Sequence, residues 1–263
     1  MKNIVNKPKI GAGLSALAFS LIITADVQAQ SCTTVPTCEE LGYTKSVADC
    51  GENDKLRCPF DNTLFFCPAG GGATSLTVGD ILFSDMTTSP NPVTGKTPIG
   101  VVFNTTNRLA VGLTHSKMDW SENSTDMCSS FTGPTFATLD KAAADFDGKN
   151  NTSKILTYCK QNNLNCKAAQ YANSYTTAGT NAGDWYLPSA GELNALSAVR
   201  GFLNLSLAKI NGSQILSSDA RYGSSTLTSE CNYLWGFNME AGTIAKTSVG
   251  YASGIYVRPV LAF

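Results

Sequence analysis

Short apolar runs separated by polar turn residues indicate strands at both ends of the region that follows residue 75. Residues 81–83, 99–103 and 109–113 have the length and the β-branched or aromatic content of buried strands. The polar stretch 104–107 between the last two predicts a β-hairpin. The C-terminal part repeats this pattern, and its predicted strands are residues 233–238, 243–247 and 255–263.

The middle of the chain has the three-to-four-residue spacing of amphipathic helices. Thr152 and Ser153 can cap a helix that continues through Cys159. A second, shorter helix places small and apolar side chains on one face. These side chains are Cys166, Ala169, Ala172 and Tyr175. Strands, then helices, then strands again predict an α+β fold.

The clearest helix start in the chain lies at Ser189. This residue follows Pro188, and Glu192 comes three positions later, which is the sequence of a capping box. The apolar residues that continue at helical spacing are Leu193, Leu196 and Val199. A helix with one buried face is therefore predicted from residue 190 onward.

The first 29 residues have the three parts of a secretory signal peptide. Lysines precede an apolar run at residues 10–23, and Val27-Gln28-Ala29 forms a small-residue cleavage site before Gln30. The alternative is an anchor helix that stays attached, but the run is shorter than the ~18–20 apolar residues of a membrane span. We therefore expect an exported protein, located outside the cell, on the cell surface or in the periplasm, without a transmembrane segment.

The composition suits such a location. Charged residues make up 15% of the chain, below the usual share of about a quarter, and Ser, Thr, Asn and Gly take their place. Removal of residues 1–29 leaves 16 basic and 19 acidic residues, a net charge of −3. No polybasic stretch is present, so the sequence predicts no nucleic-acid partner.

Nine cysteines in an exported chain of 263 residues predict disulfides. Five fall within residues 30–69, a Cys-rich module too small to fold without cross-links, whose spacings lack paired zinc knuckles. Acylation of Cys32 stays open as a role for the odd cysteine. Residues 70–75 form a Gly-rich linker, and residues 76–263 form the main domain. In that domain the predicted pairs are Cys159–Cys166 and Cys128–Cys231.

Candidate catalytic and metal chemistry is sparse. His115 is the only histidine, which excludes a multi-histidine metal centre and leaves one candidate base for a nucleophile. A carboxylate pair of the glycosidase type stays open, because Asp and Glu are scattered along the chain. Asp145, Asp147 and Asn150 have the alternating oxygens of the start of a calcium loop, without its closing Glu. The alternative is a turn in which these side chains bond the backbone.

Aromatic residues concentrate in the last third of the chain. Trp235, Phe237 and Tyr256 lie in predicted strands and are expected in the core. Residues 217–232 and 250–254 combine Tyr, Ser, Gly and Asn, a composition typical of binding loops. The residues predicted to contact a ligand are Tyr222, Ser224, Asn232, Tyr251 and Ser253.

Several separated motifs occur in an order that resembles a known domain. They are residues 145–152, residues 183–193, Ser224-Ser225 ahead of Trp235-Gly236, Lys246, and residues 256–263. Together they resemble a widespread bacterial domain of unknown function that also forms the C-terminal region of the collagen-like adhesin Lcl. The likeness covers residues 76–263. The Cys-rich module resembles, less specifically, small repeats that precede this domain in proteins of gut bacteria.

The resemblance implies a C-type-lectin-like α+β fold, related to the formylglycine-generating enzymes, in which the N- and C-terminal strands pair. It also implies that residues 185–187 form a buried strand and that Arg258 pairs with a carboxylate or carbonyl. The sequence departs from the family at residues 222–226, where Tyr-Gly-Ser-Ser-Thr replaces the usual Trp-Ser-Ser-Thr-Glu. It also lacks a counterpart of the catalytic cysteine pair of the formylglycine enzymes.

Three functions are consistent with these features. The first is a non-catalytic binding protein of the cell surface, an adhesin that recognises a glycan or a host or cell-surface protein. The second is a glycan-modifying hydrolase that uses carboxylates. The third is a structural surface or fimbrial subunit. The sequence suggests no cofactor apart from calcium.

Overall fold

The computed structural model describes residues 56–57, 63–66, 76–122, 131, 133, 135–230, 232–248 and 254–263. The chain divides into two units, residues 1–33 and 34–263, and every described residue lies in the second. The predicted signal peptide, the linker and most of the Cys-rich module lie outside the described residues. Within the module, β1 (Leu56–Arg57) and β2 (Phe65–Phe66) pair in antiparallel fashion.

Six strands form an antiparallel sheet, which we call the first sheet. In spatial order they are β4 (Thr88–Ser89), β3 (Ile81–Phe83), β5 (Pro98–Asn104), β6 (Leu109–Gly112), β15 (Val260–Ala262) and β9 (Trp185–Tyr186). The predicted hairpin of β5 and β6 is confirmed. The last strand, β15, lies between β6 and β9, so the N- and C-terminal strands of the domain pair, as the resemblance implied, through β6.

Seven strands form the second sheet. Its path is β7 (Ser116–Met118), β14 (Ile255–Val257), β10 (Arg221–Tyr222), β12 (Tyr233–Asn238), β11 (Leu227–Thr228) and β8 (Thr135–Phe136), and β13 (Thr243–Ser248) pairs with β12. The hairpin of β12 and β13 is antiparallel along its whole length. The pairs β10–β14 and β11–β8 are parallel.

The predicted final strand, residues 255–263, is broken into two. Pro259 has no backbone N–H to donate to a ladder, so a strand that contains it is interrupted. The chain uses this break to pass from the second sheet at β14 to the first sheet at β15. Arg258, which precedes the proline, therefore lies at the junction of the two sheets.

In the described residues, five helices lie between the strands along the chain, and they cover the sheets. They are α1 (Leu139–Ala143), α2 (Gly148–Gln161), α3 (Lys167–Ser174), α4 (Ala190–Ala198) and α5 (Arg200–Leu207). Side chains of α4 and α5 pack with both sheets in one apolar core, and α2 and α3 pack on the second sheet in another. Among the helices of the described residues, none has the length and apolar composition needed to cross a membrane.

The helix ends follow local sequence signals to different degrees. The capping box at α4 is confirmed, because Ser189 accepts from the backbone of Glu192 while Glu192 accepts from the backbone of Ser189. The second helix begins at Gly148, so the predicted cap at Thr152 and Ser153 is wrong. The Thr152 hydroxyl instead donates to the Gly148 carbonyl, inside the helix, and to the Leu187 carbonyl.

The predicted Cys159–Cys166 disulfide is confirmed. It closes the tight turn between α2 and α3, where Asn163 has a positive φ of 53° and Leu164 donates its N–H to the Cys159 carbonyl. The second predicted pair, Cys128 with Cys231, lies outside the described residues.

Replacing both cysteines of this bridge with alanine is expected to lower the free energy of unfolding by about 2–3 kcal/mol. The chain-entropy model gives about that value for so short a loop, and the buried position of both sulfurs leaves little freedom to relax. Chemical denaturation of the double variant without reductant measures the effect, since other disulfides then stay intact. A loss below about 0.5 kcal/mol would show that the turn is fixed by packing alone.

Candidate functional site

Two of the predicted ligand-contacting residues are buried, so the prediction that they lie in exposed loops is wrong, while their contact with a ligand stays a prediction. Tyr222 and Ser224 are both 0% exposed. Tyr222 lies in β10, between β12 and β14, and the Ser224 hydroxyl donates to the carbonyl of Trp235 at 2.7 Å. Asn232 is exposed. Tyr251 and Ser253 lie outside the described residues, so their predicted role stays a prediction.

Ser224 and its neighbours are buried because they join a polar network centred on Asp145. The Asp145 carboxylate accepts hydrogen bonds from the Thr226 hydroxyl at 2.6 Å, the Asn151 amide at 2.8 Å and the backbone N–H of Asp147 at 3.1 Å. The carbonyl of Asp145 accepts from the Ser189 hydroxyl at 2.6 Å. The network therefore joins the starts of α2 and α4 to the segment before β11.

The three residues predicted to bind calcium, Asp145, Asp147 and Asn150, belong to this network. Both carboxylate oxygens of Asp145 are occupied by protein donors, and Asp147 accepts from the side chain of Asn150 at 2.9 Å. In the part of the chain that the structure describes, no group of three or more His, Cys, Asp or Glu is placed to hold a metal ion. The arrangement is the one expected of the alternative, a turn whose side chains bond the backbone and each other. Calcium binding stays a prediction without structural support.

Glu192 extends the network into the core. Its carboxylate accepts from the backbone N–H of Ser189 at 2.8 Å and from the Tyr186 hydroxyl at 3.1 Å. Burial is the main cause that raises the pKa of Glu192 from 4.5 to about 7. The carboxylates of Asp145 and Glu192 are thus both buried and both held by protein donors, unlike the solvent-open pair of a glycosidase.

A second polar centre lies at the junction of the sheets, around Arg258. The guanidinium is 0% exposed, and its Nε donates to the Gly112 carbonyl at 2.7 Å. Nη1 lies 3.1 Å from Nδ1 of His115, and Nη2 has no hydrogen-bond partner among the described residues. The prediction that Arg258 pairs with a carbonyl or a carboxylate is thereby confirmed for the carbonyl.

The contact with Arg258 fixes the protonation of His115. Arginine only donates, so Nδ1 of His115 must accept and the proton of the neutral ring lies on Nε2. The Tyr222 hydroxyl lies 3.3 Å from the same Nδ1. Burial, helped by the charge of Arg258, lowers the pKa of His115 from 6.5 to about 4. At neutral pH this histidine is uncharged and a poor general base.

Aromatic rings surround these two side chains. The His115 ring packs edge-on against Tyr256 at 4.8 Å and Tyr222 at 5.9 Å between ring centroids. Burial lowers the pKa of Arg258 to about 10, while Tyr222, Tyr175 and Tyr171 raise it. We call Arg258, His115 and these four tyrosines the Arg258 centre. Arg258 and Tyr222 are its buried members, whereas Tyr171, Tyr175, Tyr256 and His115 are half-buried.

The Arg258 centre was not predicted as a site. Its members come from β10, β14, α3 and the segments beside β6 and β15, and as many as 143 positions separate His115 from Arg258. The available signals were the Arg-Pro pair inside an apolar run and a lone histidine after a strand. Neither signal indicated that the two side chains meet.

Comparisons with known proteins show a shared fold. No protein-family model and no curated protein matches the chain. The crystal structure of a fimbrial protein from Bacteroides ovatus ATCC 8483 is similar, with a TM-score of 0.56 and 18% sequence identity. The match covers 72% of this chain and 49% of that protein, so this chain corresponds to about half the length of its structural neighbour.

Proposed function

We propose that the protein is exported and acts at the bacterial cell surface as a non-catalytic component of a fimbrial type. The observation that carries this proposal is the fold that the chain shares with a fimbrial protein over 72% of its length. The tripartite signal at residues 1–29 and the polar, weakly charged composition support an exported location. Incorporation into a fibre, or display on one, is part of the same proposal.

The chemistry of the described residues supports a non-catalytic role. The single histidine has a pKa of about 4 and uses its acceptor nitrogen on Arg258. The carboxylate oxygens of Asp145 and Glu192 accept hydrogen bonds from protein donors in the interior. These features oppose the hydrolase alternative, since a hydrolase needs an acid and a base within reach of its substrate.

A binding role, that of an adhesin for a glycan or a host protein, is the second candidate. The Arg258 centre favours it, because half-buried aromatic rings beside a cation are a common way to hold a ligand. The C-type-lectin-like assignment belongs to this second candidate as well. It rests on the motifs at residues 145–152, 183–193 and 256–263 and on the α+β architecture.

Export is tested by expressing the full chain in a Gram-negative host and locating it. We expect a protein whose mass corresponds to a start at Gln30 and which added protease degrades on intact cells. The matched control is Leu14→Arg/Leu17→Arg, which places charge in the apolar run and should keep the uncleaved protein inside. Retention of residues 1–29 by the native sequence, with protection from added protease, would contradict the proposal.

A further inference from the structure

A buried arginine without an acidic partner is the least expected feature of the described residues. Removing a guanidinium from water is costly unless an opposite charge and hydrogen bonds replace the water. Arg258 is fully buried, yet none of the described acidic residues forms a salt bridge with it. The groups that raise the pKa of Arg258 are the side chains of Tyr222, Tyr175 and Tyr171, and none of them is a carboxylate.

The hydrogen bonds of Arg258 leave one side of the guanidinium unused. Nε donates to Gly112 and Nη1 to His115, while Nη2 is buried and finds no acceptor in the part of the chain that the structure describes. A guanidinium carries more N–H donors than these two bonds use, and the free ones lie on the Nη1–Nη2 edge or on Nη2. That edge is the fork that a carboxylate fits with two parallel hydrogen bonds.

Near Arg258, His115 adds a further hydrogen-bond donor and Lys117 adds a positive charge. The tautomer of His115 places a proton on Nε2, and in the described part of the chain no acceptor binds it. The Lys117 ammonium lies 5.7 Å from the centroid of the Tyr256 ring. The rings of Tyr171, Tyr175 and Tyr256 are half-buried, and the Tyr256 ring packs against the His115 ring that contacts Arg258.

We propose that the Arg258 centre binds a carboxylate, which a ligand inserts beneath the rings of Tyr171, Tyr175 and Tyr256 so that it pairs with Arg258. The carboxylate supplies the negative charge and the hydrogen-bond acceptors that the described residues do not provide for Arg258. The tyrosine rings pack against the rest of the ligand. A planar carboxylate matches the fork of a single guanidinium. This proposal deepens the proposed binding role by naming the ligand chemistry, and it rests on that role.

The carboxylate can be carried by an acidic sugar or by the end of a peptide, and small probes represent each source. D-galacturonate represents the sugar, N-acetylglycine represents the peptide terminus, and the methyl ester of each is its uncharged control. We expect at least one acid, at millimolar concentration, to raise the Tm of the exported protein by about 3 °C or more. Its ester should bind at least roughly tenfold more weakly, because it has lost the charge.

Binding by galacturonate alone assigns the site to an acidic sugar, and binding by N-acetylglycine alone assigns it to a peptide terminus. Arg258→Met should abolish the Tm shift, whereas Arg221→Met, at an exposed arginine of β10, should keep it. If Arg258→Met does not fold, the test is made on native protein labelled with 15N-arginine. The bound acid should then shift the side-chain NMR signals of Arg258.

Equal binding of acids and esters, or acids that move neither the Tm nor the Arg258 signals, would overturn the proposal. The export experiment does not depend on this result. A surface protein that ignores both acids would therefore refute the carboxylate site and leave the proposed surface role standing.

Discussion

Replacing Asp145 with alanine is expected to lower the free energy of unfolding by about 4 kcal/mol. The carboxylate is 7% exposed and accepts from Thr226, Asn151 and the backbone of Asp147. Its removal leaves buried donors without acceptors, each at a cost of about 1–3 kcal/mol, although the Thr226 hydroxyl can turn toward another acceptor.

Asp147→Ala is the matched control, in the same loop. Asp147 is exposed and its side chain accepts only from the Asn150 amide, so this change should cost less than about 1 kcal/mol. Denaturant titrations of both variants and of the native protein, with and without calcium, measure the difference. A calcium site would appear as a calcium-dependent gain in stability that Asp147→Ala removes. Equal losses in the two variants would contradict the central role of Asp145.

The parts of the fold that the sequence predicted depend on short-range signals. The capping box of α4 is complete within Ser189 and Glu192, three positions apart, and needs no information from elsewhere. The same is true of the β5–β6 hairpin, whose turn directly joins two apolar runs. The Cys159–Cys166 bridge is likewise local, because it spans only seven positions. The predictions of these features were correct because residues close together in the sequence determine them.

The segment at residues 222–228 was misjudged because its burial depends on distant pairings. Gly, Ser and Thr usually indicate an exposed loop, since they bury little apolar area. Here Tyr222 pairs with Phe237 of β12 and with Tyr256 of β14, and Leu227 pairs with Leu234 farther along the same edge of β12 and with Thr135 of β8. The Ser224 and Thr226 hydroxyls satisfy interior acceptors that no local pattern identifies. The small polar residues therefore build the interior.

The Arg258 centre shows the same limit for a candidate site. Its residues meet because β14 and β15 belong to different sheets, and the chain crosses between the sheets at Arg258. Pro259 predicts an interruption of the strand, but the sequence does not show which backbone carbonyl or ring the preceding side chain meets. The contact with Gly112 joins residues 146 positions apart. Such contacts follow from topology, which local periodicity does not specify.

Glu192, which is buried, and His115, which is half-buried, should give this protein opposing pH dependences of stability. The pKa of Glu192 is raised to about 7, so between about pH 4.5 and 7 the folded state holds a proton that the unfolded state has lost. Its contribution is complete below about pH 4.5 and falls as pH rises toward 7. The pKa of His115 is lowered to about 4, so its contribution falls as pH drops from 6.5 to 4. In the native protein the two slopes offset each other.

Glu192→Gln should remove the pH dependence of stability that Glu192 causes, so that the rise of stability with pH caused by His115 becomes measurable. The variant should also be more stable than the native protein above pH 7. Glutamine resembles the protonated carboxyl and can keep the capping box at Ser189. The gain at about pH 8 should approach 3 kcal/mol, the value of a shift from 4.5 to about 7, and should vanish below about pH 5. Urea denaturation from about pH 4 to 8 measures both ends, and Glu230→Gln, at an exposed carboxylate, is the control that should leave the profile unchanged. A uniform loss of stability at every pH would mean that Glu192 is ionised in the fold and that its charge, rather than its proton, holds Tyr186 and Ser189 in place.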